Sequence, residues 1–123
     1  MASVKKLLGN FGEDKACEWL KKHHYRILER NFSCRRGEVD IIASDRKFVV
    51  FVEVKLRKNA DFGYAAEYVT YAKQRRVIAA AEYWLMKNPQ TLQPRFDVLE
   101  VYAPEGTDTR NLKIIHWEDA YQT

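Results

Sequence analysis

Charged side chains interrupt the most apolar part of the chain. The run Phe48 to Val54 has the strongest strand-forming composition, yet it contains Glu53 and is followed directly by Lys55. Because side chains two positions apart lie on one face of a strand, Glu53 and Lys55 should point the same way. Asp40 interrupts a second apolar run, Val39 to Ala43. Ionised groups in such surroundings are costly unless they are paired or bind a metal, so the pattern indicates a Mg²⁺ site.

A third carboxylate lies on the apolar stripe of a helix predicted over residues 8–23. Glu13 shares this stripe with Ala16 and Leu20, at the spacing of a single helix face. A carboxylate between residues that should be buried needs a partner. If the helix crosses the sheet beside the other two carboxylates, Glu13 completes an acidic cluster.

Each of these residues also has a simpler interpretation. Glu53 and Lys55 could form an ordinary surface ion pair, and Asp40 could be a turn or cap residue. Glu13 could be a helix N-terminal charge favoured by the macrodipole. Glu38 shares a face with Asp40, so it either supports the site or is simply exposed, and exposure is slightly favoured. The three acids together, on these elements, favour the metal site.

The elements that would position these residues follow the order α, β, β, β, α, β, β. A polar run at residues 44–47 predicts a hairpin turn that brings the Asp40 strand alongside the Glu53 strand. The Glu53 strand is apolar on both faces, as expected for a central strand covered from both sides. The predicted elements are a helix over residues 8–23, strands over Tyr25–Phe32, Val39–Ala43 and Phe48–Val54, a helix from the capping residue Thr70 to Met86, strands over Phe96–Tyr102 and Leu112–Ile115, and a terminal helical turn over Trp117–Tyr121. This order predicts an α/β fold with a mixed central sheet flanked by helices.

Length and composition predict a single folded domain over residues 1–123. The chain is 46% hydrophobic and 31% charged, which is typical of a globular protein. No run approaches the roughly 20 apolar residues that span a bilayer, and no signal peptide is predicted. Cys17 and Cys34 show no CxxC spacing. We therefore expect a cytoplasmic protein with no membrane partner.

Basic residues flank the acidic positions and favour a nucleic-acid partner. The net charge is +4, and residues 1–36 hold nine Lys and Arg against four Asp and Glu. The start of the second helix should attract phosphate, although a solvated basic surface is the alternative for any one residue. The candidate contacts are Arg35, Arg36, Arg57, Lys58, Lys73, Gln74, Arg75 and Arg76. The histidines His23, His24 and His116 form no catalytic set, with His116 isolated, and no Ser or Cys nucleophile motif is present.

Two segments together resemble the PD-(D/E)xK nuclease signature. They are Gly37-Glu38-Val39-Asp40-Ile41-Ile42-Ala43 and Phe51-Val52-Glu53-Val54-Lys55. More narrowly, the chain resembles the YraN-like family of small bacterial proteins over roughly residues 9–102. The supporting segments are Gly12-Glu13 with Ala16 and Leu20, Tyr25 to Phe32, Lys73 to Arg76 and Arg95 to Val98. Val39 stands where the signature has proline, a departure that is common in the superfamily.

This resemblance implies a restriction-endonuclease-like α-β-β-β-α-β core, similar to that of archaeal Holliday junction resolvases. It also implies that Asp40, Glu53 and the main-chain carbonyl of Val54 hold one or two Mg²⁺ or Mn²⁺ ions, assisted by Glu13. Lys55 would then position the attacking water and support the transition-state charge.

The expected function is metal-dependent endonuclease activity on DNA, with branched or junction DNA favoured and a role in DNA repair or recombination. Cutting a junction would favour a homodimer. The alternatives are a nucleic-acid-binding domain that keeps the nuclease-like fold without catalysis, and a structural or protein-interaction domain whose acids are only ion-paired.

Overall fold

All seven helices and strands follow the predicted order, and the terminal helical turn predicted after them is part of the last strand. The computed structural model describes residues 4–57, 69–106 and 108–123, and side chains from residue 10 onward. The elements are α1 (Val4–Lys22), β1 (Arg26–Cys34), β2 (Gly37–Ser44), β3 (Phe48–Arg57), α2 (Tyr71–Lys87), β4 (Gln93–Tyr102) and β5 (Lys113–Tyr121). Thr70 caps α2 as predicted, because its side chain accepts a hydrogen bond from the Lys73 backbone N–H.

The five described strands form one mixed sheet with β3 at its centre. Their order is β1-β2-β3-β4-β5. The β3 and β4 strands are parallel, and the other neighbours are antiparallel. Parallel strands need a crossover connection, and α2 lies in the one between β3 and β4. The predicted α/β fold with a mixed central sheet is therefore confirmed, and it is consistent with a restriction-endonuclease-like core.

Two apolar clusters cover the two faces of the sheet. On one face, Ala16 and Leu20 of α1 pack against a cluster that includes Val50 and Val52 of β3. The other face carries a cluster that contains α2 residues and Phe51 of β3. Successive β3 residues therefore face opposite clusters, which confirms that β3 is covered from both sides. Neither described helix is long and apolar enough to cross a membrane.

The predicted helical turn at the end of the chain is wrong. Trp117–Tyr121 continues β5, which pairs with β4 from Tyr102↔Lys113 to Phe96↔Tyr121. The register shifts near Asp97, and Asp119 adopts a left-handed φ of 52°. This irregularity disturbs the alternation that identifies a strand, so the local pattern resembled a helical turn.

Candidate active site

The site begins where β2 and β3 separate. Their pairing ends at Ile41 and Val52. Asp40, the next residue of β2, uses its Oδ2 to accept a hydrogen bond of 2.8 Å from the Val54 backbone N–H. The carboxylate thus satisfies a strand N–H that has lost its pairing with β2, which fixes Asp40 beside the end of β3.

Glu53 lies beside Asp40 and is almost fully buried, with 6% of its side chain exposed. The two carboxyls are close enough to share a hydrogen bond. Burial, followed by the neighbouring Asp40 charge, raises the pKa of Glu53 to about 7, whereas Lys73 and Lys55 oppose this shift. Burial also raises the pKa of Asp40, against the hydrogen bond from Val54. The pair therefore resists ionisation and would gain from a cation.

Lys55 approaches the same pair from β3 itself. Its Nζ lies 3.5 Å from Glu53 Oε1. Strand alternation places both side chains on one face, at the end of the strand that lies in the middle of the sheet. The structure thus brings Asp40, Glu53 and Lys55 together, and their chemical roles stay a prediction.

Glu13 reaches the edge of this cluster from α1. Burial, followed by the charge of Asp40, raises the pKa of the Glu13 carboxyl. The two acids are therefore close enough to interact electrostatically. However, Glu13 Oε1 lies 3.7 Å from Arg30 Nη2 on β1. Among the described side chains, no three of the Asp, Glu, His or Cys type converge closely enough to hold a metal ion. The structure therefore pairs Asp40 with Glu53 and leaves Glu13 at the margin.

The available donor atoms fit a hard divalent cation. Glu53 Oε2 and Glu13 Oε1 are buried and receive no hydrogen bond from the described residues. A buried carboxylate oxygen without a donor is costly, so a cation would stabilise it. Mg²⁺ commonly takes one or two carboxylates and keeps several waters. Asp40, Glu53 and the Val54 carbonyl are the groups that could hold it, with Glu13 beside them.

Lys73 brings a second ammonium to the carboxyl pair, although the sequence suggested it only as a nucleic-acid contact. It lies in the first turn of α2, where its backbone N–H donates to the side chain of the cap Thr70. Its Nζ is 3.8 Å from Glu53 Oε1 and 3.5 Å from Glu38 Oε1. The side chain of Glu38 is 55% exposed, which confirms the favoured interpretation of that residue. No periodicity links residues 53 and 73, so only packing of α2 on the sheet reveals this contact.

Comparison with known proteins places these side chains within the range matched by one family model. The model of the uncharacterised protein family UPF0102 matches residues 12–101, a range that contains Glu13, Asp40, Glu53, Lys55 and Lys73. The chain belongs to this family. The resemblance to the YraN-like family is therefore confirmed.

Three UPF0102 relatives match nearly the whole chain. A UPF0102 protein of Caldicellulosiruptor saccharolyticus is 46% identical, covering 90% of this chain and 95% of its own. One of Geotalea daltonii is 47% identical, covering 94% and 90%. One of Clostridium botulinum is 40% identical, covering 94% of each. These names give a family and no activity, so the chemistry has to be argued from the site.

Four of the predicted nucleic-acid contacts are exposed arginines. Arg35 and Arg36 form the turn before β2, while Arg75 and Arg76 lie on α2. None of the four forms an ion pair with the described residues. The turn packs tightly on α2, since a Cβ at Gly37 would lie 2.2 Å from the Arg76 carbonyl oxygen. Only glycine fits there, and the contact holds the turn that carries Arg35 and Arg36 against α2.

The other predicted contacts are placed differently. Gln74 is half-buried and donates a hydrogen bond of 2.8 Å to the Val69 carbonyl. Arg57 Nε lies 3.6 Å from the buried Glu100 carboxylate. Lys58 lies outside the described residues. Only the exposed arginines and Lys73 are therefore seen in positions from which a phosphate backbone is readily reached.

A second buried acid, Asp97, lies on the opposite face of the sheet and was not among the predicted site residues. Arg95 donates to both of its oxygens at 2.9 and 2.8 Å, and His116 Nε2 lies 2.6 Å from Oδ2. The Asp119 backbone N–H adds a fourth contact at 2.9 Å. The interpretation of His116 as isolated is therefore wrong. Residues 97 and 116 meet only because β5 returns beside β4, although the spacing of Arg95 and Asp97 already placed both on one strand face.

Proposed function

We propose that this UPF0102 protein is a metal-dependent nuclease that hydrolyses phosphodiester bonds in DNA. The observation that carries the proposal is the buried pair of Asp40 and Glu53, in which Glu53 Oε2 receives no hydrogen bond from the described residues. An ammonium lies beside this pair, and four exposed arginines form no ion pair with the described residues. Acids that face bound phosphate are unfavourable for a pure nucleic-acid binder, so they favour catalysis over simple binding.

Each side chain has a distinct role in the proposed reaction. Asp40 and Glu53 would hold one or two Mg²⁺ or Mn²⁺ ions, with the Val54 carbonyl and Glu13 as further ligands. The bound ion supplies Lewis acidity at the phosphate and stabilises the leaving oxygen. Lys55, whose Nζ already lies at the carboxylate, would orient the attacking water and offset the negative charge that develops.

The proposed substrate is branched DNA, such as a four-way junction. Arg35, Arg36, Arg75 and Arg76 would neutralise backbone phosphates beside the site without reading base sequence. Junctions are favoured by analogy with the resolvases that share this type of core. Since two strands must be cut at related positions, we expect a symmetric homodimer on that substrate.

The decisive experiment compares cleavage of labelled junction, flap, duplex and single-stranded DNA with Mg²⁺, Mn²⁺ or EDTA. Asp40→Asn and Lys55→Ala should each lower the cleavage rate by about a thousandfold or more while the fold is retained. Glu82→Gln and Lys87→Ala change an exposed acid and an exposed lysine on α2, so they should cleave like the wild type. Circular dichroism and thermal unfolding check that all four variants fold.

The result separates the nuclease from the non-catalytic alternative. DNA binding that weakens steeply with salt, without any cleavage, would favour a binding domain. Cleavage that persists in both Asp40→Asn and Lys55→Ala would assign the activity to another site or to a contaminant. Either outcome refutes the proposed mechanism.

A further inference from the structure

Two lysines share one oxygen of the candidate metal site. Lys55 Nζ lies 3.5 Å and Lys73 Nζ 3.8 Å from Oε1 of Glu53, whose other oxygen receives no hydrogen bond from the described residues. The lysines come from different elements, β3 and α2, so they approach the carboxylate independently. Two ammoniums therefore lie near one oxygen of Glu53, while no donor among the described residues reaches the other oxygen.

A divalent cation would disturb this arrangement. Asp40 and Glu53 carry two negative charges when ionised, and the two ammoniums already balance them. A dication added to the pair would be repelled by both ammoniums at short range, in a setting less polarisable than water. Outward movement of one ammonium would relieve this repulsion when a metal binds.

The surroundings indicate which lysine moves. Lys73 has a second anionic partner, since its Nζ is 3.5 Å from Glu38, whose carboxylate is largely exposed. Lys55 pairs with no acid other than Glu53 among the described residues. Lys73 also lies at the N-terminal turn of α2, which carries no acidic residue and is positively polarised. That end of the helix repels a lysine but attracts an incoming phosphate.

We propose that Lys73 is a displaceable counter-ion of the acidic pair. Binding of a divalent cation moves its ammonium from Glu53 towards Glu38, at the surface where the substrate phosphate enters. Lys73 thereby protects the buried carboxylates in the metal-free protein and binds phosphate in the metal-bound protein. This inference rests on the proposed function and adds an exchange step at the same site.

Removing the Lys73 charge should then have two opposite effects. Metal affinity should rise, because one competing cation is lost. DNA affinity and cleavage should fall, because one phosphate contact is lost. A residue with a merely structural role would lower both when replaced, so the opposite signs exclude that role.

The test is a calorimetric titration with Ca²⁺ alone, which measures metal binding without turnover. It is done about two pH units above the Glu53 pKa of about 7, so that Glu53 is ionised in the wild type. Lys73→Gln should bind Ca²⁺ about fivefold more tightly than the wild type. Lys87→Gln removes a charge from the far end of α2 and should leave the affinity unchanged. Lys73→Arg keeps the charge, so its Ca²⁺ affinity should stay near that of the wild type. This variant provides a second comparison if Lys73→Gln folds poorly.

A second measurement uses a labelled duplex in Ca²⁺, followed by anisotropy at several salt concentrations. Lys73→Gln should bind DNA more weakly, with a salt slope smaller by about one. An unchanged DNA affinity would overturn the phosphate part of the proposal.

Glu38 provides a third check, because it is either the resting partner of Lys73 or a metal ligand. In the Lys73→Gln background, Glu38→Gln should not alter Ca²⁺ affinity, since no ammonium remains to be held. A large further loss of affinity in the double variant would make Glu38 a ligand and overturn the exchange.

The remaining outcomes distinguish this inference from the proposed function. If neither the wild type nor Lys73→Gln binds a divalent cation, both the exchange and the nuclease proposal fail. If the wild type binds Ca²⁺ and Lys73→Gln binds equally or more weakly, the exchange alone is refuted and the nuclease proposal stands.

Discussion

Asp97 and Glu53 are both buried carboxylates of the central sheet, but they differ in the number of hydrogen bonds that they accept. Asp97 is fully buried, yet both of its oxygens accept hydrogen bonds from Arg95, and His116 and Asp119 add further contacts. Burial alone would raise its pKa, but hydrogen bonds from His116 and Arg95 outweigh it, so the pKa of Asp97 is lowered. Glu53 is 5% exposed and has a raised pKa of about 7. Burial is therefore similar at the two sites, while the supply of hydrogen-bond donors differs.

This difference indicates that a buried acid with too few hydrogen-bond donors is a better sign of function than burial itself. A complete set of donors joins β4 and β5 around Asp97, which suits a structural role. Glu53 keeps one oxygen that no donor in the described part of the chain reaches, beside a second acid, which costs stability and provides a place for a cation. Four predictions test this contrast, beginning with the largest expected effect.

The largest effect should follow from removing the charge of Asp97. Asp97→Asn leaves the buried Arg95 without its counter-charge, so the free energy of unfolding should fall by about 3–5 kcal/mol. Urea unfolding followed by circular dichroism measures this loss. Glu82→Gln on the exposed face of α2 is the control, and a loss at Asp97 no greater than this control would refute the structural role.

Adding metal should stabilise the site that lacks donors. Mg²⁺ at about one hundred times its dissociation constant should raise the free energy of unfolding of the wild type by about 2.7 kcal/mol. Glu53→Gln should show little of this gain, because it loses the carboxylate that the ion needs. Thermal unfolding with Mg²⁺ or EDTA measures both, and equal stabilisation of the two proteins would count against Glu53 as a ligand.

The third prediction concerns pH in the absence of metal. The folded-state pKa of Glu53, about 7, lies above its ordinary value of 4.5, so folding favours the protonated acid. Its contribution is fully present below about 4.5 and is lost as the pH rises through about 7. Between pH 5 and 8 the wild type should lose about 2 kcal/mol relative to Glu53→Gln. Parallel stability curves for the two proteins would contradict the raised pKa.

The smallest expected effect concerns two tyrosines that are equally buried but differ in hydrogen bonding. Tyr102 and Tyr121 are both 9% exposed, but Tyr102 OH donates to Glu100 at 2.6 Å, whereas Tyr121 OH has no hydrogen-bond partner among the described residues. Tyr102→Phe should cost about 1.5 kcal/mol, because it removes a donor from a buried acid. Tyr121→Phe should cost almost nothing. Equal losses in urea unfolding would show that the donor supply does not set the energetics here.

Much of the site was predictable because it depends on local periodicity. Alternation places Glu53 and Lys55 on one strand face, and the structure has them 3.5 Å apart. The polar turn after Ala43 predicted the hairpin that carries Asp40 alongside β3, and the pairing confirms it. The cap at Thr70 likewise predicted the start of α2 correctly.

Other features depend on contacts between residues that are distant in sequence. Lys73 meets Glu53 because α2 packs on β2, the neighbour of β3, and Glu13 lies near Arg30 because α1 packs beside β1. The last strand was interpreted partly as a helical turn because its pairing with β4 is irregular near Asp97. No window of neighbouring residues contains this information.

Local periodicity was enough to place Glu53 and Lys55 on one strand face and Glu13 on the apolar stripe of α1, since the backbone repeats every 2 or 3.6 residues whatever surrounds it. The sequence by itself therefore determined that acids interrupt two apolar strands. Packing of the layers, by contrast, brings Asp40 and Glu53 together where β2 and β3 separate and places the Lys73 ammonium beside them. It also supplies the hydrogen-bond donors that surround Asp97 on the opposite face. These distances follow from how the layers pack, because the energy of a buried charge depends on every group that surrounds it in space.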